Sequence, residues 1–531
     1  MDRRTLLKLS AAAAVPTVSG ATLAASEAPP PPFELAGMGV AELAAAMQAG
    51  ARTSESLCAL YFQRMDAIDV QGPALRSIIE RNPDALATAA ALDRERRAKG
   101  PRGPLHGVPV VLKDNIDTAD RMRTSAGSLA LGESIAARDA FIVARLRDAG
   151  CVILGKSNLS EWANFRGARS TSGWSGRGGQ TRNPYALDRN TSGSSSGSAS
   201  AVAADLCAIA VGTETDGSIV SPASICGLVG VKPTVGLVSR SGIVPIAHSQ
   251  DTAGPMTRTV ADAAALLTAM TGVDARDGAT AASRGKAHDY TRFLDPNGLR
   301  GARIGVARDL FGTNDRVDAL IEAQIAVLKS AGAIVVDPVR IANFDKLGPS
   351  EFDVLLYEFK ADLDAYLAAL GPGAAVHSLA DVIAYNERNS TRELQYFGQE
   401  RLLAAQKKGP LTDDAYRKAL ARNRKLARTD GIDAALAKHR LDALVGPTGS
   451  PAWLTDYVNG DHAEGGASQF PAVAGYPHIT VPAGLVWGLP VGLSFFASAW
   501  SEPTLFRLAY AYEQLTKART APKFLPTAPV A

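Results

Sequence analysis

Cysteine is scarce in this chain: four residues, Cys58, Cys151, Cys207 and Cys226, among 531. No two of them have metal-ligand spacing and Cys-x-x-Cys is absent, which excludes a thiol redox motif and a cysteine-based zinc site. The last three sit inside apolar runs, where a thiol behaves as a small hydrophobe, so no disulfide is expected. Histidine is thin as well, seven in all. His106 and His248 lie nearest the polar motifs, and neither is placed as a catalytic base would be. No apolar run reaches the roughly 18 residues that a membrane span needs, so no stable membrane insertion is expected. An excess of positive charge is also missing. Lys and Arg number 56 against 53 Asp and Glu, a formal charge of +3, and no basic block is interleaved with aromatics. Nucleic acid is therefore not an expected partner.

What is present is an ordinary globular composition, 46% apolar and 21% charged. The first 28 residues, "MDRRTLLKLSAAAAVPTVSGATLAASEA", are different. Arg3 and Arg4 precede a weakly apolar, Ala-rich run with small residues near its end, the layout of a twin-arginine signal peptide. The expectation is an exported, periplasmic protein with a signal peptide at 1–28. A short Pro-rich spacer at 29–34 follows, then one folded unit over 35–520. No linker divides that unit, and it contains no internal repeat.

Helical periodicity appears in "VAELAAAMQAG" and "TSESLCALYFQRMDAID". In "NPDALATAAALDRERRAKG", Asn82 is a candidate cap and Pro83 suits the first helical position. The period then changes. "GVPVVLKDNI", "CVILGKSN" and "CAIAVGTET" read as buried strands, with helices at "FIVARLRDAG" and "GSASAVAADL" between them. "LRGARIGVARDL" and "GAIVVDPVRI" are further strands, 354–440 is mostly helical, and "HITVPAG" and "LPVGLSFF" return to strand. Strands apolar on both sides, alternating with helices, predict an α/β fold: one large domain whose mixed, largely buried central β-sheet has helices on both faces.

Three polar features interrupt these runs. Lys113 ends a buried-looking strand. "TSGSSSGSAS" (191–200) opens a helix of small residues. "GTETDGSIVSPASICGLVGVKPT" (212–234) sets Asp216, Gly217 and Ser218 between two apolar segments, as a nucleophile at 218 would require. A phosphate-cradling reading of the Gly/Ser loop fails, because Ser198 and Ala199 stand where Lys and Ser or Thr are needed. Gly193–Ser195–Gly197 matches a nucleophile elbow in letters only, since polar "NPYALDRN" precedes it instead of a buried strand. Ser283 and Lys286 form a Ser-x-x-Lys in a polar stretch, a chance match.

Together "GVPVVLKDN", "TSGSSSGSASAVAA" and "GTETDGSIVSPASICGLVGVKPT" resemble the three blocks of the amidase signature family, in order and spacing, with the core at about 105–260. The similarity continues to "GLPVGLSFFASAWSEPTL" and covers nearly the whole mature chain. The resemblance implies an amidase signature fold and a Ser–Ser–Lys triad. Ser218 is then the nucleophile, Ser194 the bridging serine on a cis peptide bond, and Lys113 the base, with Ser195 in support. It also implies no cofactor and no metal.

A serine hydroxyl attacks a carboxamide only with a base to take its proton, and lysine serves only when neutral. At a pKa of about 10.4, roughly one lysine in 2,500 is neutral at pH 7; at about 7, half are. Burial supplies such a shift, so Lys113 is expected buried, neutral and touching Ser194. The backbone N–H groups of Thr215, Asp216, Gly217 and Ser218 are the candidate oxyanion hole.

Asp216 stands where the family usually has glycine. Its carboxyl has to point away from the hole; a structural role and substrate recognition are both open. Peptide amidases share this Asp. The expected activity is hydrolysis of C-terminal peptide carboxamides through an acyl-enzyme, with a peptide amide or small amide as substrate. A general aryl or aliphatic amidase or esterase is the alternative, and a tRNA-dependent amidotransferase subunit is a further one that export disfavours. "RGARSTSGWSGRGGQTRNPY" and "PAWLTDYVNGDHAEGG" are candidate groove loops. The sequence sets no oligomeric state, and a monomer is compatible with it.

Overall fold

A computed structural model describes residues 31–530. The expected signal peptide, and residues 29 and 30 of the expected spacer, lie outside the described residues. Eleven strands form one mixed sheet. In chain order they are β1 (Ile78–Arg81), β2 (Pro109–Lys113), β3 (Val152–Ser157), β4 (Ile209–Glu214), β5 (Val229–Lys232), β6 (Thr252–Thr257), β7 (Arg303–Ala307), β8 (Ile334–Val339), β9 (Ala443–Pro447), β10 (His478–Val486) and β11 (Leu489–Phe496). Their spatial order is β1-β3-β2-β4-β6-β5-β10-β11-β9-β7-β8. The β3–β2–β4 and β9–β7–β8 pairs run parallel and the other neighbours antiparallel.

β2, β3, β4, β5, β6, β9 and β11 are buried at every residue. A strand buried on alternate side chains in both directions requires cover on both faces of the sheet, as expected for the α/β fold. Val110, Val111 and Leu112 of β2 are all fully enclosed. Burying each such side chain contributes about 1.5–3 kcal/mol before the entropy of ordering it is counted. Exposure is greatest at the sheet's edges, where β1 is half-buried and β8 largely exposed, and the polar residues of the central strands, Lys113, Lys156, Glu214 and Lys232 among them, are enclosed.

Several local readings are refined. The third helix begins at Ala85, not at Pro83, and Asp84 is its cap position. Asn82 lies outside that helix: its side chain accepts the Asp84 N–H (2.9 Å) and donates to Ile153 O (2.8 Å). Asn82 therefore ties the chain after β1 to β3 instead of capping a helix. β1, β5, β6 and β9 are strands that periodicity alone does not reveal. All four cysteines are buried and free. Among the described residues no helix is long and apolar enough to cross a membrane.

Helices over 348–406 form a second apolar cluster, with Phe359, Leu363 and Leu379 packed on Trp162, Phe165 and Ile246. This covers the loops that follow the strand ends on the β2–β4 side of the sheet. The cluster's first helix, Gly348–Ala368, brings Glu351 and Phe352 toward the ends of those strands.

Candidate active site

Lys113 is the last residue of β2, and its side chain is fully buried. Its Nζ lies 2.7 Å from Ser194 Oγ, 2.8 Å from Thr213 Oγ1 and 3.2 Å from Thr213 O. Thr213 is on the neighbouring strand β4, and Asn115 Nδ2 donates to the same Oγ1 (3.0 Å). Every one of these partners is uncharged, and among the described residues Lys113 has no carboxylate within ion-pair distance. Burial therefore pushes its pKa down to about 7, opposed by the more remote charges of Asp251 and Glu214. A charged amine would donate to all three oxygens. A neutral one spends its two N–H groups on Thr213 and turns its lone pair to the Ser194 hydroxyl.

The Gly/Ser loop is built by its hydroxyls. Ser195 Oγ accepts the Thr213 N–H (3.2 Å) and donates to Thr213 O (3.1 Å), while its backbone N–H donates to Ser218 O (3.2 Å). Ser195 thus fastens the loop to β4 and to the residue it must face. Ser198 Oγ reaches Val211 O (3.2 Å) and Ser196 Oγ reaches Ser192 O (2.7 Å), satisfying carbonyls that burial would otherwise strand. The Gly193–Ser194 peptide is cis, as the family resemblance implied. The helix Ser196–Ala203 is buried at all its residues. At Gly197 a Cβ would sit 2.3 Å from Ser77 O and 2.5 Å from Asn158 O, so only glycine lets this helix approach the chain there.

Ser218 lies in the turn between β4 and the helix Val220–Ile225. Gly217 has φ +77°, a left-handed conformation that glycine adopts without strain. Glu214 Oε2 accepts the N–H groups of Ile219 (2.8 Å) and Val220 (3.0 Å), pinning the residues directly after Ser218. The backbone N–H groups of Asp216, Gly217 and Ser218 find no acceptor among the described residues. Thr215 is held through its hydroxyl, which donates to Asp251 (2.6 Å).

Asp216 does turn away from these donors. Its carboxyl is buried with Ser468 and Glu351 as neighbours, and burial followed by the Glu351 charge pushes it up to about 8. Glu351 in turn accepts from Gln250 Nε2 (3.0 Å) and Gln469 Nε2 (2.8 Å). Sequence reasoning missed Thr213, Asn115, Glu214, Asp251, Glu351 and Gln469.

Gly193, Thr215, Asp216 and Ser218 open on a cavity of about 300 Å³. Its other walls are Ala163–Phe165, Ile246, Gly348, Glu351, Phe352, Leu355, Arg401 and Gln469. The two loops expected to form the groove do not line it. They bind each other instead: Thr171 Oγ1 donates to Asp456 O (2.6 Å) and the Ser172 hydroxyl to Asp461 (2.5 Å). They act as a strut, and one side of the cavity comes instead from the helices over 348–406, through Gly348, Glu351, Phe352, Leu355 and Arg401.

Neither histidine near the motifs serves the triad. His106 is buried with Nε2 3.0 Å from Leu92 O, and His248 pairs with Asp362 (2.8 Å). His248, Glu358 and Asp362 are the one group among the described residues with ligand atoms close enough to hold a metal ion. Their mutual pairing, and the Tyr416 hydroxyl on Glu358 (2.7 Å), account for them without one.

A buried amine with only neutral partners, beside an open pocket that carries a serine, is suited to taking up a hydroxyl proton. That is the arrangement a hydrolase activating a serine requires. Comparison with known proteins narrows the class: residues 57–506 match the family described as Amidase, and the chain belongs to it. The protein is accordingly an amide hydrolase. The solved peptide amidase of Stenotrophomonas maltophilia is 55% identical, with a TM-score of 0.89 over 93% of this chain and 100% of that one. A probable amidase of Arabidopsis thaliana is 44% identical over 89% of each chain. A glutamyl-tRNA(Gln) amidotransferase subunit of Alkalilimnicola ehrlichii is more distant, 35% identical over 90% of this chain and 97% of its own.

Proposed function

We propose that this enzyme hydrolyses the C-terminal carboxamide of peptides to the acid and ammonia, with Ser218 as nucleophile, Ser194 as relay and Lys113 as base. The observation that carries this reading is the 2.7 Å contact of Lys113 Nζ with Ser194 Oγ in a buried site that lowers the amine's pKa to about 7. Ser218 Oγ attacks the amide carbon as its proton passes to Ser194 Oγ, whose own proton moves to Nζ. The carbonyl oxygen becomes an oxyanion facing the N–H groups of Thr215, Asp216, Gly217 and Ser218, each such donor worth about 3–4 kcal/mol. On collapse the amide nitrogen takes the proton back through the relay as the C–N bond breaks, and leaves as ammonia. Water then attacks the acyl-enzyme by the same route. Ser195 and Glu214 hold the loop and the turn in register.

The peptide substrate is supported by the 55% identity to a peptide amidase and by a pocket large enough for backbone on the acyl side. Export to the periplasm is part of the proposal, on Arg3, Arg4 and the Ala-rich run that follows. Mass spectrometry of amidated peptides of graded length tests the activity: the amide-to-acid change must fall on the C-terminus alone. Side-chain or internal cleavage, or turnover of aryl amides only, would overturn it. Ser218→Ala is expected to abolish labelling by a fluorophosphonate, and retained labelling would remove Ser218 from its role.

A further inference from the structure

Asp216 and Glu351 form a pair of carboxyl groups on the wall of the cavity that contains Ser218. They line the same cavity as neighbours, burial raises both, and one proton shared between the two is the arrangement their proximity favours. Both oxygens of Glu351 already accept from side-chain amides, Gln250 and Gln469, which favours its charged form. The proton therefore sits on Asp216. Among the described residues no Lys, Arg or His lies within ion-pair distance of either carboxyl. Arg401 lines the same cavity, but its Nη1 is given to Asn164 O (2.7 Å) and its nearby charges are Asp461 and Glu400. Asp216 Oδ1 is buried without a partner, an acceptor that an amide N–H satisfies and a carboxylate does not.

We infer that the Asp216–Glu351 pair determines the selectivity of this site for an uncharged carboxamide over a C-terminal carboxylate, by keeping one negative charge beside Ser218. This rests on the amide-hydrolase reading and extends it to product release. The substrate enters neutral and leaves as an anion, so the same charge that tolerates the amide drives the acid out. Burial raises both carboxyls; the Glu351 charge raises Asp216 further while Asp216 lowers Glu351, which makes Asp216 the holder of the proton.

The arrangement makes an unusual demand on single variants. Asp216→Asn leaves Glu351 charged. Glu351→Gln relieves Asp216 of its neighbour and lets it ionise. Each single variant keeps one charge, and only Asp216→Asn/Glu351→Gln removes it. The experiment measures inhibition of N-acetyl dipeptide amide turnover by the matching dipeptide acid and by the neutral C-terminal alcohol. In the wild type the acid is expected to bind more weakly than the alcohol by about tenfold or more, the order set by like charges at an effective dielectric of about 20. The double variant is expected to close that gap, and neither single variant should.

If the double variant does not fold, the wild type alone decides through a third ligand, the C-terminal primary amine. It should bind at least as well as the alcohol and far better than the acid. Equal wild-type binding of acid and alcohol overturns the inference, as does a single variant that closes the gap by itself. Absence of dipeptide amide turnover would instead strike the reading beneath it, which the same assay reports separately.

Discussion

The protonation state of Lys113 can be tested twice, once in rate and once in stability, and the two must agree. Its pKa falls from 10.5 to about 7 because the amine is buried against neutral oxygens. At 10.5 about one amine in 3,000 would be neutral at pH 7, against about half at the lowered value. The kcat/KM of an N-acetyl dipeptide amide is therefore expected to rise about tenfold per pH unit up to about pH 7, then flatten. The stability consequence has the opposite sign from that of an ion pair. Unfolded lysine stays protonated up to 10.5, whereas the folded one resists its proton. The cost to the fold is therefore full below pH 7 and fades as pH climbs to 10.5. That drop corresponds to about 5 kcal/mol. Lys113→Met removes it, and also removes three hydrogen bonds of about 1 kcal/mol each. The inactive variant should thus be more stable than the wild type by about 2 kcal/mol at pH 6 and less stable near pH 10. Denaturant unfolding at the two pH values reads the crossover. A rate flat from pH 5 to pH 10, or a stability difference of one sign at both pH values, would refute the neutral base.

Two further substitutions probe how the site is held. Arg166 is fully buried, 3.4 Å from Glu161 and 3.9 Å from Glu393, with Trp174 and Phe397 against its guanidinium. Arg166→Met leaves two carboxylates buried without a cation and should cost about 3–5 kcal/mol in denaturant unfolding. A loss under about 1 kcal/mol would mean that the carboxyls are already neutral. Gly197→Ala should lower the thermal midpoint and kcat together, since the added Cβ must push the helix that carries the serine loop away from Ser77 O and Asn158 O. A variant with wild-type melting and turnover would show that the loop does not depend on that close approach.

The legibility of the sequence divides along a physical line. β2, β3, β4, β10 and β11 were readable because their apolar runs are continuous and bounded by turn residues. β6 was not, since "TAGPMT" carries Gly254 and Pro255 in the middle of the sheet. Pro255 pairs with Val211, and a Cβ at Gly254 would lie 2.0 Å from Val231 O, so close packing against β5 dictates residues that normally mark a turn. At the site, Lys113, Ser194 and Ser218 were legible because each falls in its own family block. Glu351, Gln469 and Arg401 were hidden, because each comes from a helix far downstream that carries no motif of its own. The groove loops misled for a related reason: aromatic, polar composition suits a strut between two loops as well as it suits a binding wall. Asp216 shows both halves. Its departure from glycine was visible, and its partner was not.

Three lysines are buried in this sheet, and what separates them explains why one of them is equipped for chemistry. Lys113, Lys156 and Lys232 are all fully enclosed, and burial lowers all three. Lys156 sits among the charges of Asp114, Asp117, Asp120 and Glu80, with its amine on Ile116 O (2.6 Å) and Thr124 Oγ1 (2.9 Å). Lys232 falls only to about 8, supported by Glu214 and Glu502, and its amine meets Pro233 O at 3.3 Å. Neither touches a group able to pass on a proton from Ser218. Lys113 feels just Asp251 and Glu214 at a distance, and its third contact is a serine hydroxyl. Burial alone therefore does not make a base. The base arises where a strand ends against hydroxyls and carbonyls, so that desolvation is left uncompensated and the lone pair has one proton donor to face.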